Sequence, residues 1–361
     1  MAVDRHPMWK ELGMDLETHD QLCEALPAAF GDVFLSQENR PEAMAFWDMV
    51  AADVHGIRPA ELVEAQKNGQ KVFGTFCTYV PDEVVVACNG IVTGLCGGSQ
   101  FWVSDGEKYL PADMCPLIKA SLGARMGRTC PFFRIVDEIV GETTCDGKKK
   151  MYEILATDVP MHIMELPQMK RPKDIDAFAD EIALFGKNVE EVTGKQLAVE
   201  NLADAIRIIN NRRRALQRVY ETRKNPDIIP ISGTDALLMM QIAFFDDPVR
   251  CAEMAGKLAD ELEQRLADGV SVFPKGTKRI LLTGTPLAIP NWKLHHIIET
   301  SGAAIVCEEN CTGTKFFTNL VDESQTTLEG QFHALAERYM KINCACFTPN
   351  TARIDEVLQL A

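Results

Sequence analysis

Short apolar, β-branched runs alternate with helical stretches in two separate blocks of this chain, and that alternation restricts the fold more than any other feature. In the first block, 71–76, 91–95, 135–140 and 161–166 read as strands. Helices open at Pro81-Asp82-Glu83, span 116–126, and run from Asp146 through Leu155. The pattern restarts at Lys278, with strands at 279–284 and 303–306 and helices at 292–301, 326–341 and from Arg353 onward. Strands separated by helices specify parallel sheets, because a parallel neighbour is reached through a long crossover. Between the blocks, 173–270 shows only helical periodicity, at 175–192, 198–220, 233–245 and 248–267. Residues 8–67 are helical as well: Leu22, Leu26 and Phe30, then Met44, Trp47, Val50, Ala51 and Val54, recur at helical spacing.

The expected architecture is therefore α/β, with two Rossmann- or flavodoxin-like parallel-sheet domains. An N-terminal helical region covers 1–70, a first α/β domain 71–172, a helical segment 173–277 and a second α/β domain 278–361. Two strands make a poor parallel sheet, which needs both faces covered. The second domain is thus expected to be C-terminally incomplete and the natural chain longer. A length of 361 residues suits two or three domains. The formal net charge of −15 argues against nucleic acid, which demands a Lys/Arg surplus, and against an anionic membrane surface. No apolar run reaches the roughly 18–20 residues that span a bilayer, and residues 1–9 lack the apolar stretch of a secretory signal. A cytoplasmic location is expected. In a reducing cytosol, the twelve cysteines are better read as ligands, reactive thiols or buried hydrophobes than as disulfides.

Several of those cysteines fall in polar turns rather than in apolar runs. Cys77, Cys115, Cys145 and Cys311 stand beside Thr, Pro, Asp, Gly or Asn, and Cys344-Ala345-Cys346 adds a close pair. Ligands of open α/β sheets lie beyond the carboxyl ends of the strands. Cys77, Cys145 and Cys311 follow such ends, so two facing domains would bring them to one cleft. Thiolates gathered from several loops are what an iron–sulfur cluster requires. Structural zinc favours paired close ligands at both ends, and only Cys344/Cys346 and Cys307/Cys311 are close. A nucleophilic cysteine needs a histidine partner; His162, His295 and His296 are available, but no motif places them. Cys23, Cys88 and Cys251 read as core residues, while Cys96, Cys130 and Cys307 are ambiguous. No Walker A or G-x-G-x-x-G signature is present, and Gly97-Gly98-Ser99 reads as a plain turn. Arg212-Arg213-Arg214 reads as a solvated helix face.

Phe76-Cys77-Thr78-Tyr79-Val80-Pro81-Asp82-Glu83, Cys115-Pro116-Leu117-Ile118-Lys119 and Thr143-Thr144-Cys145-Asp146-Gly147-Lys148-Lys149-Lys150 resemble the 2-hydroxyacyl-CoA dehydratase/benzoyl-CoA reductase superfamily. The resemblance keeps the same order and covers essentially the whole chain beyond the N-terminal helices. Glu309-Asn310-Cys311-Thr312-Gly313 and Asn343-Cys344-Ala345-Cys346-Phe347-Thr348-Pro349-Asn350 look most like its double-cubane-cluster branch of anaerobic small-molecule reductases. The resemblance implies a D-component type protein, a homodimer that takes low-potential electrons from a separate homodimeric ATPase activator with its own [4Fe-4S] cluster. It implies an iron–sulfur cofactor of the double-cubane [8Fe-9S] type. Cys77 and Cys115 would hold one cubane; Cys145, Cys311 and one or both of Cys344 and Cys346 would hold the other. A further family cysteine lies beyond position 361. Glu83 and Glu309 are candidate proton donors, since a carboxyl beside a buried cluster is expected to have a raised pKa. One of Lys148, Lys149 and Lys150 would face the cluster charge and the others solvent. The alternatives are a 2-hydroxyacyl-CoA dehydratase subunit with a single [4Fe-4S] cluster and a non-catalytic electron-transfer protein.

Overall fold

The structure, a computed structural model, describes residues 4–95 and 97–361; Cys96, one of the ambiguous cysteines, lies outside the described residues. The first sheet contains β1 (Val72–Thr75), β2 (Ile91–Gly94), β3 (Glu138–Glu142) and β4 (Met161–Met164). All pairs are parallel, in the order β2-β1-β3-β4. This is a flavodoxin-like order, with its switch point between β1 and β3. The second sheet pairs β5 (Lys278–Thr283) with β6 (Ala303–Glu309), again in parallel. The α/β class and the parallel sheets agree with the sequence reading.

Two strand boundaries differ from it. Residues 135–140 do not form one strand, because Pro131–Ile135 is a short helix and β3 begins at Glu138. Pro131 supplies a helical φ at the first position, and the extended Cys130 precedes it. The other difference is at β6, which continues past Val306 to Glu309. Two adjacent glutamates end the apolar pattern in the sequence, yet both are fully buried because each finds a cationic partner. A register shift between Ile280 and Leu281 accompanies the extension.

Side-chain alternation explains how the first sheet is covered on both faces. Val72 and Ile139 belong to one core, with Trp47 and Leu62 of the N-terminal helices and Leu216, Val219 and Leu258 of the helical segment. Phe73 and Val140, one position along, belong to a second core, with Phe178, Ile182, Phe185, Leu335 and Tyr339. The helical segment 173–277 is thus a shared wall of both cores. The second sheet is less enclosed: every residue of β5 is half-buried or exposed. Ile297, Ile354 and Leu358 on nearby helices face outward. No helix among the described residues is long and apolar enough to cross a membrane.

Two contacts seat the second sheet. Gly98 N–H donates to the Ile289 carbonyl at 3.1 Å, and a Cβ at position 98 would lie 1.9 Å from the Ala288 oxygen. Glycine is therefore required where the loop after β5 crosses the first unit. The other contact is a buried ion pair. Arg223 reaches both oxygens of Glu308 at 2.7 and 2.9 Å and the Ile305 carbonyl at 3.0 Å. Tyr220 donates to the same carboxylate at 2.7 Å, and His295 lies 3.3 Å from it. Burial alone would raise the Glu308 pKa, but Arg223 and His295 bring it down to about 2.

The expected solvated face at Arg212-Arg213-Arg214 is corrected. Arg212 and Arg213 are buried and pair with Asp82 at 2.6 Å and Glu83 at 2.7 Å, while only Arg214 is exposed. A helix that touches both cores has little surface left for solvent, so charges on two of its sides must be paired internally.

Glu308→Ala leaves Arg223 buried without its partner and is expected to cost about 3–5 kcal/mol. Arg214→Ala breaks an exposed pair and should cost about 0–1 kcal/mol. Thermal unfolding of the two variants checks the contrast. The folded-state pKa of Glu308 is depressed, so its stabilisation is complete above about pH 4.5 and lost as the pH falls toward 2. The acid-side loss of stability should be shallower in Glu308→Gln than in the wild type.

Candidate functional site

Equivalent turns leave the two sheets. Cys77 follows the end of β1 by two residues, and Cys311 follows the end of β6 by two residues. The second turn is tight: a Cβ at Gly313 would lie 2.1 Å from the Glu308 oxygen. Thr312 fastens it by donating to Asn310 at 2.9 Å and accepting from Leu287 N–H at 3.0 Å. A third segment follows helix Leu328–Met340, where Asn350 donates to the Cys344 carbonyl at 2.7 Å and shapes the Cys344–Cys346 turn.

These segments converge. The thiols of Cys77 and Cys311, one from each sheet, lie near enough for each to shift the other's ionisation. Cys344 and Cys346 form a second pair of mutually perturbing thiols. The Tyr79 hydroxyl donates to the Ile342 carbonyl at 3.3 Å and lies close enough to be influenced by all four thiols. Within each pair, the neighbouring thiol lowers one pKa and raises the other. Cys311 is lowered by the Cys77 thiol, and Cys344 is lowered to about 6 by the Cys346 thiol. Lys315 and Lys148 act in the same direction on both. The partner thiols, Cys77 and Cys346, are pushed up, first by the neighbouring thiol and then by burial. The result is an inner set of four sulfurs in which Cys311 and Cys344 ionise more readily than their partners, with Lys148 and Lys315 contributing.

The remaining predicted residues take other positions. Cys115 and Cys145 are exposed, and each is the N-cap of a helix, Pro116–Met126 and Asp146–Leu155. These helix starts are neighbours, since a Cβ at Gly147 would touch Met114 and Ile118. Cys77 lies near Cys311 of the other sheet, and Cys115, with which the expectation grouped it, stands at the exposed start of its helix. Lys148 turns inward onto the buried Glu142, while Lys149 and Lys150 pair with Asp146 and Glu153 at the surface. Glu83 is fully buried, 2.7 Å from Arg213 and accepting from Tyr339 at 2.8 Å. Burial raises its pKa, but Arg213 and Arg338 outweigh that and hold it ionised. A carboxylate held in this state is poorly suited to donate a proton. Glu309 bridges Lys315 at 2.6 Å and Arg353 at 3.2 Å. Cys88 and Cys251 are buried as expected, Cys130 is buried, and Cys307 lies half-buried on β6.

Beside the inner thiols lies a cavity of about 70 Å³. Phe76, Leu95, Trp102, Phe133, Ala288 and Cys311 contribute to its wall, so it touches the carboxyl ends of strands from both sheets. Its polar Gln241 is already engaged, donating to the Leu287 carbonyl at 2.7 Å and accepting from Trp292 at 2.8 Å. The space suits a small, largely apolar group.

Lys315, Tyr79 and the cavity wall did not stand out in the sequence. Lys315 had a signal, since it lies four residues after Cys311 at the start of helix Thr314–Phe317. Tyr79 sits within the Phe76–Glu83 motif but reads there as an ordinary aromatic residue.

The 2-hydroxyglutaryl-CoA dehydratase, D-component, family model matches residues 77–361. A protein of Escherichia coli (strain K12) named as a provisional dehydratase subunit, YjiM, is 36% identical over 83% of this chain and 77% of its own length. The (R)-phenyllactyl-CoA dehydratase beta subunit of Clostridium sporogenes is 22% identical over 82% of this chain and 76% of its own. A benzoyl-CoA reductase subunit from Thauera aromatica is 22% identical over 70% of this chain and 64% of its own. The match begins at Cys77, just after β1, and takes in the other three strands of the first sheet, the whole second sheet and all three thiol-bearing segments, and the chain belongs to the 2-hydroxyglutaryl-CoA dehydratase D-component family, within the 2-hydroxyacyl-CoA dehydratase/benzoyl-CoA reductase superfamily.

Proposed function

We propose that this chain is an iron–sulfur reductase that takes low-potential electrons from an ATP-hydrolysing [4Fe-4S] activator and reduces a small molecule at a double-cubane [8Fe-9S] centre. The observation that carries the reading is the meeting of Cys77 and Cys311 across two sheets, with Cys344 and Cys346 beside them. The donor set fits such a centre, because soft thiolates suit iron–sulfur ligation. Cys77, Cys311, Cys344 and Cys346 would be the inner ligands. Cys115 and Cys145, at helix N-termini that favour anionic sulfur, would complete the set. A centre held there would supply low-potential electron storage and delivery.

The protein's own groups have definable tasks. Lys148 and Lys315 offset the negative charge of Cys311 and Cys344, and the Tyr79 hydroxyl lies beside the thiols. Glu309 and Lys315, 2.6 Å apart, are the acid–base pair we assign to proton delivery. The apolar cavity at Cys311 would seat the substrate and keep water from it. A space of about 70 Å³ supports a small substrate over a whole acyl-CoA. The reductase among the relatives supports reduction as the reaction. We place the working protein in the cytoplasm as a homodimer.

A second reading is a 2-hydroxyacyl-CoA dehydratase subunit with a single [4Fe-4S] centre, favoured by the Clostridium sporogenes relative. Iron and acid-labile sulfide in the anaerobically purified chain separate the two. About eight irons per chain are expected for the double cubane, and about four would favour the dehydratase arrangement. Iron-free protein would refute both.

Cys77→Ser and Cys311→Ser are expected to lose about half or more of the iron, whereas Cys88→Ser and Cys251→Ser keep it. Metal analysis of the four variants checks this. Lys315→Met removes a positive charge beside two thiolates, so the midpoint potential should fall, by on the order of 1–2 kcal/mol per electron. An anaerobic redox titration with an unchanged potential would remove Lys315 from this role.

A further inference from the structure

A second donor set lies in the N-terminal helices, ahead of the family match that begins at residue 77. Helix Leu16–Phe30 starts at Asp15, whose side chain accepts from Thr18 N–H at 3.3 Å. It carries His19 and Cys23 four residues apart, on one face. His55 enters from the turn at 53–56, between helices Ala45–Ala52 and Ile57–Lys67. Nδ1 of His55 lies 2.9 Å from Nε2 of His19, and Sγ of Cys23 lies 3.4 Å from that same nitrogen. This is the one group of three such donors within 4.8 Å of one another among the described residues. His19 and His55 are buried and Cys23 is half-buried.

We propose that His19 Nε2, His55 Nδ1 and Cys23 Sγ form a structural site for a zinc-type divalent transition ion. Tetrahedral zinc, with Zn–N about 2.0–2.1 Å and Zn–S about 2.3 Å, sets its ligand atoms about 3.3–3.7 Å apart. The observed 2.9 and 3.4 Å need to open by only a few tenths of an ångström. The three donor atoms converge in the interior, with Cys23 Sγ 3.4 Å from Nε2 and 3.8 Å from Nδ1 of His19, and a bound cation would displace the protons they now share. Mixed nitrogen and sulfur donors select zinc over magnesium or calcium, and a single thiol is too few for a cluster of the kind proposed above. Three protein ligands leave the fourth position to water.

The surroundings hold the two rings in place. On the other side of the His19 ring, Nδ1 faces the Asp20 carboxylate at 3.6 Å. The Trp9 indole packs edge-on against His19 at 4.3 Å and donates to the His55 carbonyl at 2.9 Å. Such outer contacts orient metal-binding histidines. The ion would join helix Leu16–Phe30 to the turn that carries Val54 and His55, both of which line the apolar cavity. Its task would be to brace the N-terminal wall of that cavity. The inference rests on these three residues and stands apart from the reading of the thiol centre.

The test is zinc and iron measured together on the full chain, purified anaerobically from zinc-supplied cells. About one zinc per chain is expected in the wild type and in Cys344→Ser. Cys23→Ala and His55→Gln should lose that zinc and keep their iron. Zinc that is absent from the wild type, or that disappears with Cys344 and remains with Cys23, would overturn the site. Thermal unfolding guards against a folding defect in the buried variant. A chelator should lower the melting temperature of the wild type, restored by zinc, and leave Cys23→Ala unmoved; a wild type indifferent to both additions would also overturn it. Cobalt exchanged into the wild type should give a thiolate-to-metal absorption band that Cys23→Ala lacks.

Discussion

The buried pair between Arg223 and Glu308 is the constraint on which the second half of the molecule depends. The second sheet has only two strands, and its outer strand is half-exposed, so apolar burial alone holds it weakly. The guanidinium of Arg223, at the end of a helix packed into the main core, grips the carboxylate of β6 through two hydrogen bonds. Tyr220 and His295 occupy the remaining capacity of that carboxylate. Removing a fully hydrogen-bonded charge from water is tolerable only with this degree of satisfaction. Three residues further on stands Cys311, so the pair sets the direction in which the thiol-bearing turn leaves the sheet.

From that anchor the site assembles by opposition of two similar ends. β1 and β6 each release a cysteine after two residues, and the sheets meet so that the two thiols act on each other. Gly98 and Gly313 allow the close backbone approaches this requires. Each pair then differentiates its own sulfurs: the partner thiol lowers Cys311 and Cys344, with Lys148 and Lys315 adding in the same direction, and raises Cys77 and Cys346, which burial raises further. Both lysines are themselves tied to buried glutamates, Glu142 and Glu309. Their positive charge is therefore positioned rather than mobile.

Much of this was legible in the residues. The strand–helix alternation, the Pro116 helix start and the cysteines at strand ends all follow from local rules, because turn residues and apolar period report backbone conformation directly. Legibility failed where a charge was buried. Glu308 and Glu309 read as a loop, and Arg212 and Arg213 read as solvated, since a single sequence does not reveal a partner 85 or 130 residues away. The same blindness made Cys23 a core residue, because His55 reaches it from a different turn.

The sequence by itself determined the α/β class, the parallel sheets and the family, through motifs whose spacing is local to each strand and turn. Only the tertiary structure decided that Cys77 faces Cys311, that Lys315 stands beside the thiols, and that Glu83 is held as a carboxylate by Arg213. Those outcomes depend on how distant segments share a low-dielectric interior, where each buried charge must find its partner, and pairing of that kind leaves no periodic trace along the chain.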